Sequence, residues 1–132
     1  MIIAFDVDGT IISYNEKPRL DILEMIRTLS KYHTVVLWSG GGKDWCELWV
    51  RRLYLQDYIS ACYTKPMGGK DKTIMIGKME MDSKKYVDIC FDDEMVDIAK
   101  INIKIWEIMS FLFKRGFTNF YKYYIMYIRV IN

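Results

Sequence analysis

The chain is predicted to fold as a single α/β domain, a parallel sheet with helices packed on both faces. Three observations carry this expectation. Apolar, β-branched runs recur at Ile2–Phe5, Thr34–Ser39 and Val87–Phe91, and the first two are continuous rather than alternating, as strands covered on both faces are. Between the runs lie stretches with the 3.6-residue apolar period of amphipathic helices. The two patterns take turns along the chain, which is the order of βαβ units.

The elements follow in sequence. Ile2–Phe5 is the first strand and runs into Asp6-Val7-Asp8-Gly9-Thr10. From Arg19, Ile22, Ile26 and Leu29 share one helix face, with Leu23 and Met25 beside them. Thr34–Ser39 is the second strand, closed by Gly40-Gly41-Gly42, and Cys46, Trp49, Val50 and Leu53 mark a second helix face. Tyr58–Thr64 is expected as a third strand, stopped at Lys65 because Pro66 biases its predecessor away from helix. Lys70–Met81 has weak helical spacing. Val87–Phe91 is the fourth strand and ends on Asp92-Asp93, which could cap a helix beginning near Glu94; Ile101–Ile105 is expected as a fifth strand.

A length of 132 residues suits one domain with a real core. The composition, 52% hydrophobic and 27% charged, is that of an ordinary globular protein, and a net charge of +2 does not by itself point to a polyanionic partner. Cys46, Cys62 and Cys90 are odd in number and lack ligand-like spacing, so they are expected as buried thiols in a reducing compartment. Met1 leads directly into the first strand with no leader pattern, and no run approaches the ~18 apolar residues of a membrane span. A cytoplasmic protein without membrane contact is the expectation.

In a parallel sheet, ligands bind beyond the carboxyl ends of the strands. Three of the predicted ends are polar: Asp6 and Asp8, Ser39 with its glycines, and Asp92-Asp93; Lys65 closes another. Each has a plain alternative, namely a tight turn at Ser39, a solvated Lys65 and a helix cap at Asp92-Asp93. A calcium loop opening at Asp6 is excluded, because its sixth and twelfth positions hold Ile11 and Lys17 instead of Gly and Glu. Together the pieces supply a phosphoryl-transfer site. A carboxylate can attack phosphorus and divide one displacement into two. A second carboxylate can protonate the leaving oxygen and then activate water. A metal ion held by carboxylates offsets their repulsion of a dianion. A hydroxyl, loop amides and a lysine can hold the equatorial oxygens.

The order DVDGT, strand-end Ser, Lys-Pro and then DDxxxD over residues 1–105 resembles the haloacid dehalogenase (HAD) superfamily of aspartate-nucleophile phosphohydrolases. The resemblance implies a three-layer Rossmann-like sheet, a Mg²⁺-dependent phosphatase and an aspartyl-phosphate intermediate on Asp6. It places the general acid/base on Asp8, whose backbone carbonyl would also bind the metal, and the phosphate-binding hydroxyl on Ser39 with Gly40 beside it. Lys65 matches the family lysine, with Lys70 and Lys72 as alternatives. Asp93 matches the main metal ligand, with Asp92 and Asp97 as supports; an Asp at 92 replaces the glycine common there and leaves the choice among these carboxylates open. The gaps from Thr10 to Arg19 and from Ser39 to Lys65 leave no room for a cap domain, which implies a capless enzyme with an open site.

Residues 106–132 depart from the family. They hold nine aromatic residues, and Lys114, Arg115, Lys122 and Arg129 stand against Glu107. The preferred reading is an extension packed on the core or on a second copy of the chain in a homo-oligomer; the other is a clamp for a polynucleotide end. The expected substrate is a phosphate monoester of a small metabolite, a nucleotide or a polynucleotide end. Two rivals are a non-catalytic phosphate- or metal-binding module, which has no need of an acid/base at Asp8, and a signalling receiver domain. The receiver would need an aspartate where this chain has Ser39 and Lys65.

Overall fold

The computed structural model describes residues 1–67 and 72–105. Five parallel strands form the main sheet in the order β3-β2-β1-β6-β7: β1 (Ile2–Asp6), β2 (Thr34–Ser39), β3 (Ala61–Thr64), β6 (Ile89–Asp92) and β7 (Ile101–Lys104). Between β3 and β6 lies a separate antiparallel hairpin, β4 (Thr73–Ile76) and β5 (Met79–Asp82). The helices are α1 (Leu20–Leu29), α2 (Lys43–Arg52) and the short α3 (Ser83–Tyr86). Because every strand of the main sheet runs the same way, Asp6, Ser39, Thr64 and Asp92 end on one edge. The register carries this across the sheet, with Asp6 beside Trp38, Ser39 beside Thr64 and Asp92 beside Lys104.

The strands alternate their side chains between two apolar layers. Ile3, Phe5, Val35, Leu37, Ile89 and Phe91 face the layer that receives α1 and α2, which bury Ile22, Leu23, Met25, Ile26 and Leu29 and then Cys46 and Trp49. The five α1 residues are those with the helical period in the sequence. Phe5 and Phe91 stack there with ring centroids 4.8 Å apart. Ala4, Val36, Trp38 and Cys90 face the other way, where α3, the hairpin and the loop before β7 cover them through Tyr86, Ile74, Ile98 and Ala99. All three cysteines are buried and free. Among the described residues no helix is long and apolar enough to cross a membrane.

Four expectations are corrected. The 70–81 stretch is a hairpin in its described part: Thr73, Ile74 and Ile76 are β-branched, and Gly77, at φ +64°, turns the chain between the paired Ile76 and Met79. The third strand begins at Ala61 rather than Tyr58, because residues 55–59 turn back on Leu55, whose carbonyl accepts from the Tyr58 and Ile59 amides. The fourth begins at Ile89, after Asp88 accepts the Ile2 amide through its side chain at 2.7 Å. No helix starts at Glu94; Asp92 Oδ1 accepts the Glu94 amide at 3.0 Å, and the chain continues without helix to β7. Lys70 and the aromatic, basic extension 106–132 lie outside the described residues.

Candidate active site

The alternation that puts Phe5 and Phe91 in the α1–α2 layer turns Asp6 and Asp92, one residue further on, toward the opposite face at the carboxyl edge. The two neighbouring strands thus deliver two buried carboxylates side by side. Lys65, the residue after β3, reaches past the end of β2 and places its Nζ 3.0 Å from Asp6 Oδ1 and 3.0 Å from Asp92 Oδ2. The three side chains are only 14%, 6% and 1% exposed, so these charges act on one another with little solvent screening. Asp93 completes an acidic cluster: oxygens of Asp6, Asp92 and Asp93 lie within 4.8 Å of one another. With one ammonium against three carboxylates among the described residues, the cluster favours a further cation.

The proton affinities follow from this crowding. Burial, and then the Asp92 charge, push the Asp6 carboxyl up to about 7 against the pull of Lys65. Burial likewise raises Asp92. Burial alone would lower the Lys65 ammonium, but Asp6 and Asp92 outweigh it and hold it above the ordinary lysine value.

Asp8 has different company. Its Oδ2 accepts the indole N–H of Trp45 at 2.9 Å, and its side chain is not part of the acidic cluster. Ser39 is buried at the end of β2; its Oγ accepts the Gly41 amide at 3.0 Å, and its carbonyl accepts the Gly42 amide at 3.1 Å. A hydroxyl that accepts in this way keeps its own proton to donate. The Gly40–Gly42 loop then enters α2 through Gly42, at φ +104°.

The structure therefore gathers Asp6, Lys65, Asp92 and Asp93 and sets Ser39, Gly40 and Asp8 on the same edge. It does not bring in Asp97 or Lys72. Asp97 is exposed and paired with Lys72 at 2.9 Å and Lys84 at 2.7 Å, and those two ammoniums hold its carboxyl down at about 2. That contact ties β4 and α3 to the bend before β7 and removes Asp97 from the candidate metal ligands. Three partners were not expected from the sequence. Thr10 Oγ1 lies 3.4 Å from Asp6 Oδ2. Tyr14 donates its hydroxyl to Asp93, and this contact raises the phenol above its ordinary value. Trp45 is the third. Thr10 could have been read from its place beside the carboxylate pair, whereas no local pattern marks Tyr14 or Trp45. Beside Asp93 a recess of about 500 Å³ is bordered by Gly9, Tyr14 and Arg19.

Three carboxylates converging at a buried strand edge make a set of hard oxygen donors suited to Mg²⁺ or a similar cation. Comparison of the chain with protein-family models, with curated proteins and with solved structures gave no match.

Proposed function

We propose that the chain is a Mg²⁺-dependent phosphohydrolase of the HAD type, without a cap unit, which cleaves phosphate monoesters through an aspartyl-phosphate on Asp6. The observation that carries this reading is the single ammonium of Lys65 held at 3.0 Å from both Asp6 and Asp92, with Asp93 in the same cluster, at the carboxyl edge of a parallel sheet. A purely structural ion pair would not call for a third carboxylate there.

Asp6, Asp92 and Asp93 would hold the ion, which when bound supplies the positive charge that lets a phosphate dianion approach the carboxylates. Ionised Asp6 attacks phosphorus as Asp8 gives a proton to the departing ester oxygen. Asp8 then takes a proton from water, whose oxygen displaces Asp6 and releases inorganic phosphate. Lys65 offers Nζ to the equatorial oxygens. The Ser39 hydroxyl and the Gly40 amide serve the same oxygens, since the Gly41 and Gly42 amides are engaged by Ser39 itself. The short loop from Gly9 to Arg19 and the direct run from β2 into α2 support the reading without a cap. Such an open site suits a metabolite, a nucleotide or a polynucleotide end.

The test is phosphate release in Mg²⁺ from p-nitrophenyl phosphate, sugar phosphates, nucleotides and 3′- or 5′-phosphorylated oligonucleotides, with Asp6→Asn as the control. Activity in the unmodified chain and none in the variant is expected. Turnover by Asp6→Asn above trace, with normal folding, would remove Asp6 as the nucleophile.

A further inference from the structure

We propose that Trp45 is a positioning residue for proton transfer: its indole N–H fixes the Asp8 carboxyl in the orientation from which it protonates the leaving group. The inference rests on the phosphatase reading above. Asp6 and Asp8 share a strand end but have opposite partners. Asp6 is tied to a cation, Lys65, and Asp8 to a neutral donor 37 residues away in sequence. An indole N–H can only donate and does not titrate, so it holds one oxygen of Asp8 whether or not the other carries a proton.

The indole is itself held. Trp45 sits in the first turn of α2, its ring edge-on to Trp49 at 5.9 Å between centroids and 77° between planes. On the loop side a Cβ at Gly41 would come within 3.4 Å of the ring, so the backbone packs close against it. Trp45 is half-buried, and its N–H is spent on a carboxylate rather than on water or the backbone. Trp49, one helical turn on, is buried with an indole N–H that has no hydrogen-bond partner among the described residues. The two tryptophans share a helix and a contact, and only the first reaches the candidate site.

The proton-transfer role makes a prediction that packing alone does not. Phenolate leaves with difficulty unless protonated, whereas 2,4-dinitrophenolate leaves without a proton. Trp45→Phe keeps the ring and loses the donor. It is expected to lower kcat/KM on phenyl phosphate by about 10- to 100-fold, the worth of one hydrogen bond to a charged catalytic group, and on 2,4-dinitrophenyl phosphate by less than about threefold. Trp49→Phe should leave both substrates' values where they were. Equal losses on the two esters, no loss on phenyl phosphate, or an equal effect of Trp49→Phe would overturn the inference while leaving the phosphatase reading standing. Failure of the unmodified chain to hydrolyse either ester in Mg²⁺ would instead sink that reading and the inference with it. A measurement independent of turnover, and of whether Trp45→Phe folds, is the indole N–H proton resonance of Trp45. It should move upfield in Asp8→Ala, and an unmoved resonance would refute the contact on which the proposal stands.

Discussion

Replacing Asp6 by Asn should make the metal-free protein more stable at neutral and higher pH, even as it removes the proposed nucleophile. The folded carboxyl keeps its proton up to about 7, whereas a free aspartate releases it near 3.8. Stability is therefore whole below the lower value and declines as pH rises through the upper one, because the folded state binds more protons across that window. At 1.36 kcal/mol per pH unit the raised Asp6 carboxyl costs the fold about 4 kcal/mol at pH 8 and less than half as much at pH 5. Asn is neutral and nearly the same shape, and it leaves Lys65 paired one to one with Asp92. The gain at pH 8 should be about 2–4 kcal/mol, or roughly 10 °C in Tm for a domain of this size. The gap between variant and parent should widen by about 2–3 kcal/mol from pH 5 to pH 8. Urea or thermal unfolding in EDTA across that range measures it, and the variant-minus-parent difference cancels charge effects elsewhere. A gap that stays constant, or narrows as pH rises, would refute the account of Asp6 as a carboxylate held against its burial.

Adding Mg²⁺ to the parent should raise Tm at pH 8, by about 2.7 kcal/mol of stabilisation at a hundredfold excess over Kd, and Asp6→Asn should lose most of that rise; calorimetry with and without EDTA decides it. Asp93→Asn should weaken Mg²⁺ binding in titration calorimetry by at least tenfold, while Asp97→Asn, outside the cluster and paired with Lys72 and Lys84, should leave it unchanged; the reverse order would show that the acidic cluster is misread. Gly9→Ala places a methyl 2.4 Å from Asp93 Oδ2 at a backbone φ of +82°. It should cost about 1 kcal/mol or more in urea unfolding and weaken Mg²⁺ binding with it; a neutral effect on both would show that Asp93 yields without consequence. Phe91→Ala, which empties the ring stacked on Phe5, should cost about 3–5 kcal/mol in the same assay.

The parts of the fold that were legible in the sequence are those where burial and local chemistry coincide. Thr34–Ser39 is a strand at its expected limits because a run covered on both faces from Val35 to Ser39 leaves no alternative period, and a glycine loop ends it. The α1 face was legible for the complementary reason: all five of its apolar positions are buried. The hairpin was misread because Ile74, Met75 and Met81 fall at spacings that a helix also produces; the deciding signal was one glycine, Gly77, at positive φ. The carboxylates and Lys65 could be named because each closes a strand, and a parallel sheet gathers strand ends at one edge. Asp97 was misplaced because its partners, Lys72 just before the hairpin and Lys84 in α3, meet it only in the folded chain, and no local spacing records the contact. Trp45 and Tyr14 could not be found at all. Each meets a carboxylate 37 and 79 residues away, and nothing in their own neighbourhoods records the meeting.

The Lys65 bridge also sets an order on how the protein comes into being. Its two bonds close loops of 59 and 27 residues, and the carboxylates they join lie on strands that pair with each other only across β1 and β6. Closing such loops is the slow part of assembling a parallel sheet, and local helix formation gives no head start. A chain still emerging from the ribosome, with β6 not yet made, carries Asp6 without Asp92 or Asp93 beside it. The acidic edge is therefore completed only when β6 docks, whereas Asp6 and Lys65 are already made by then.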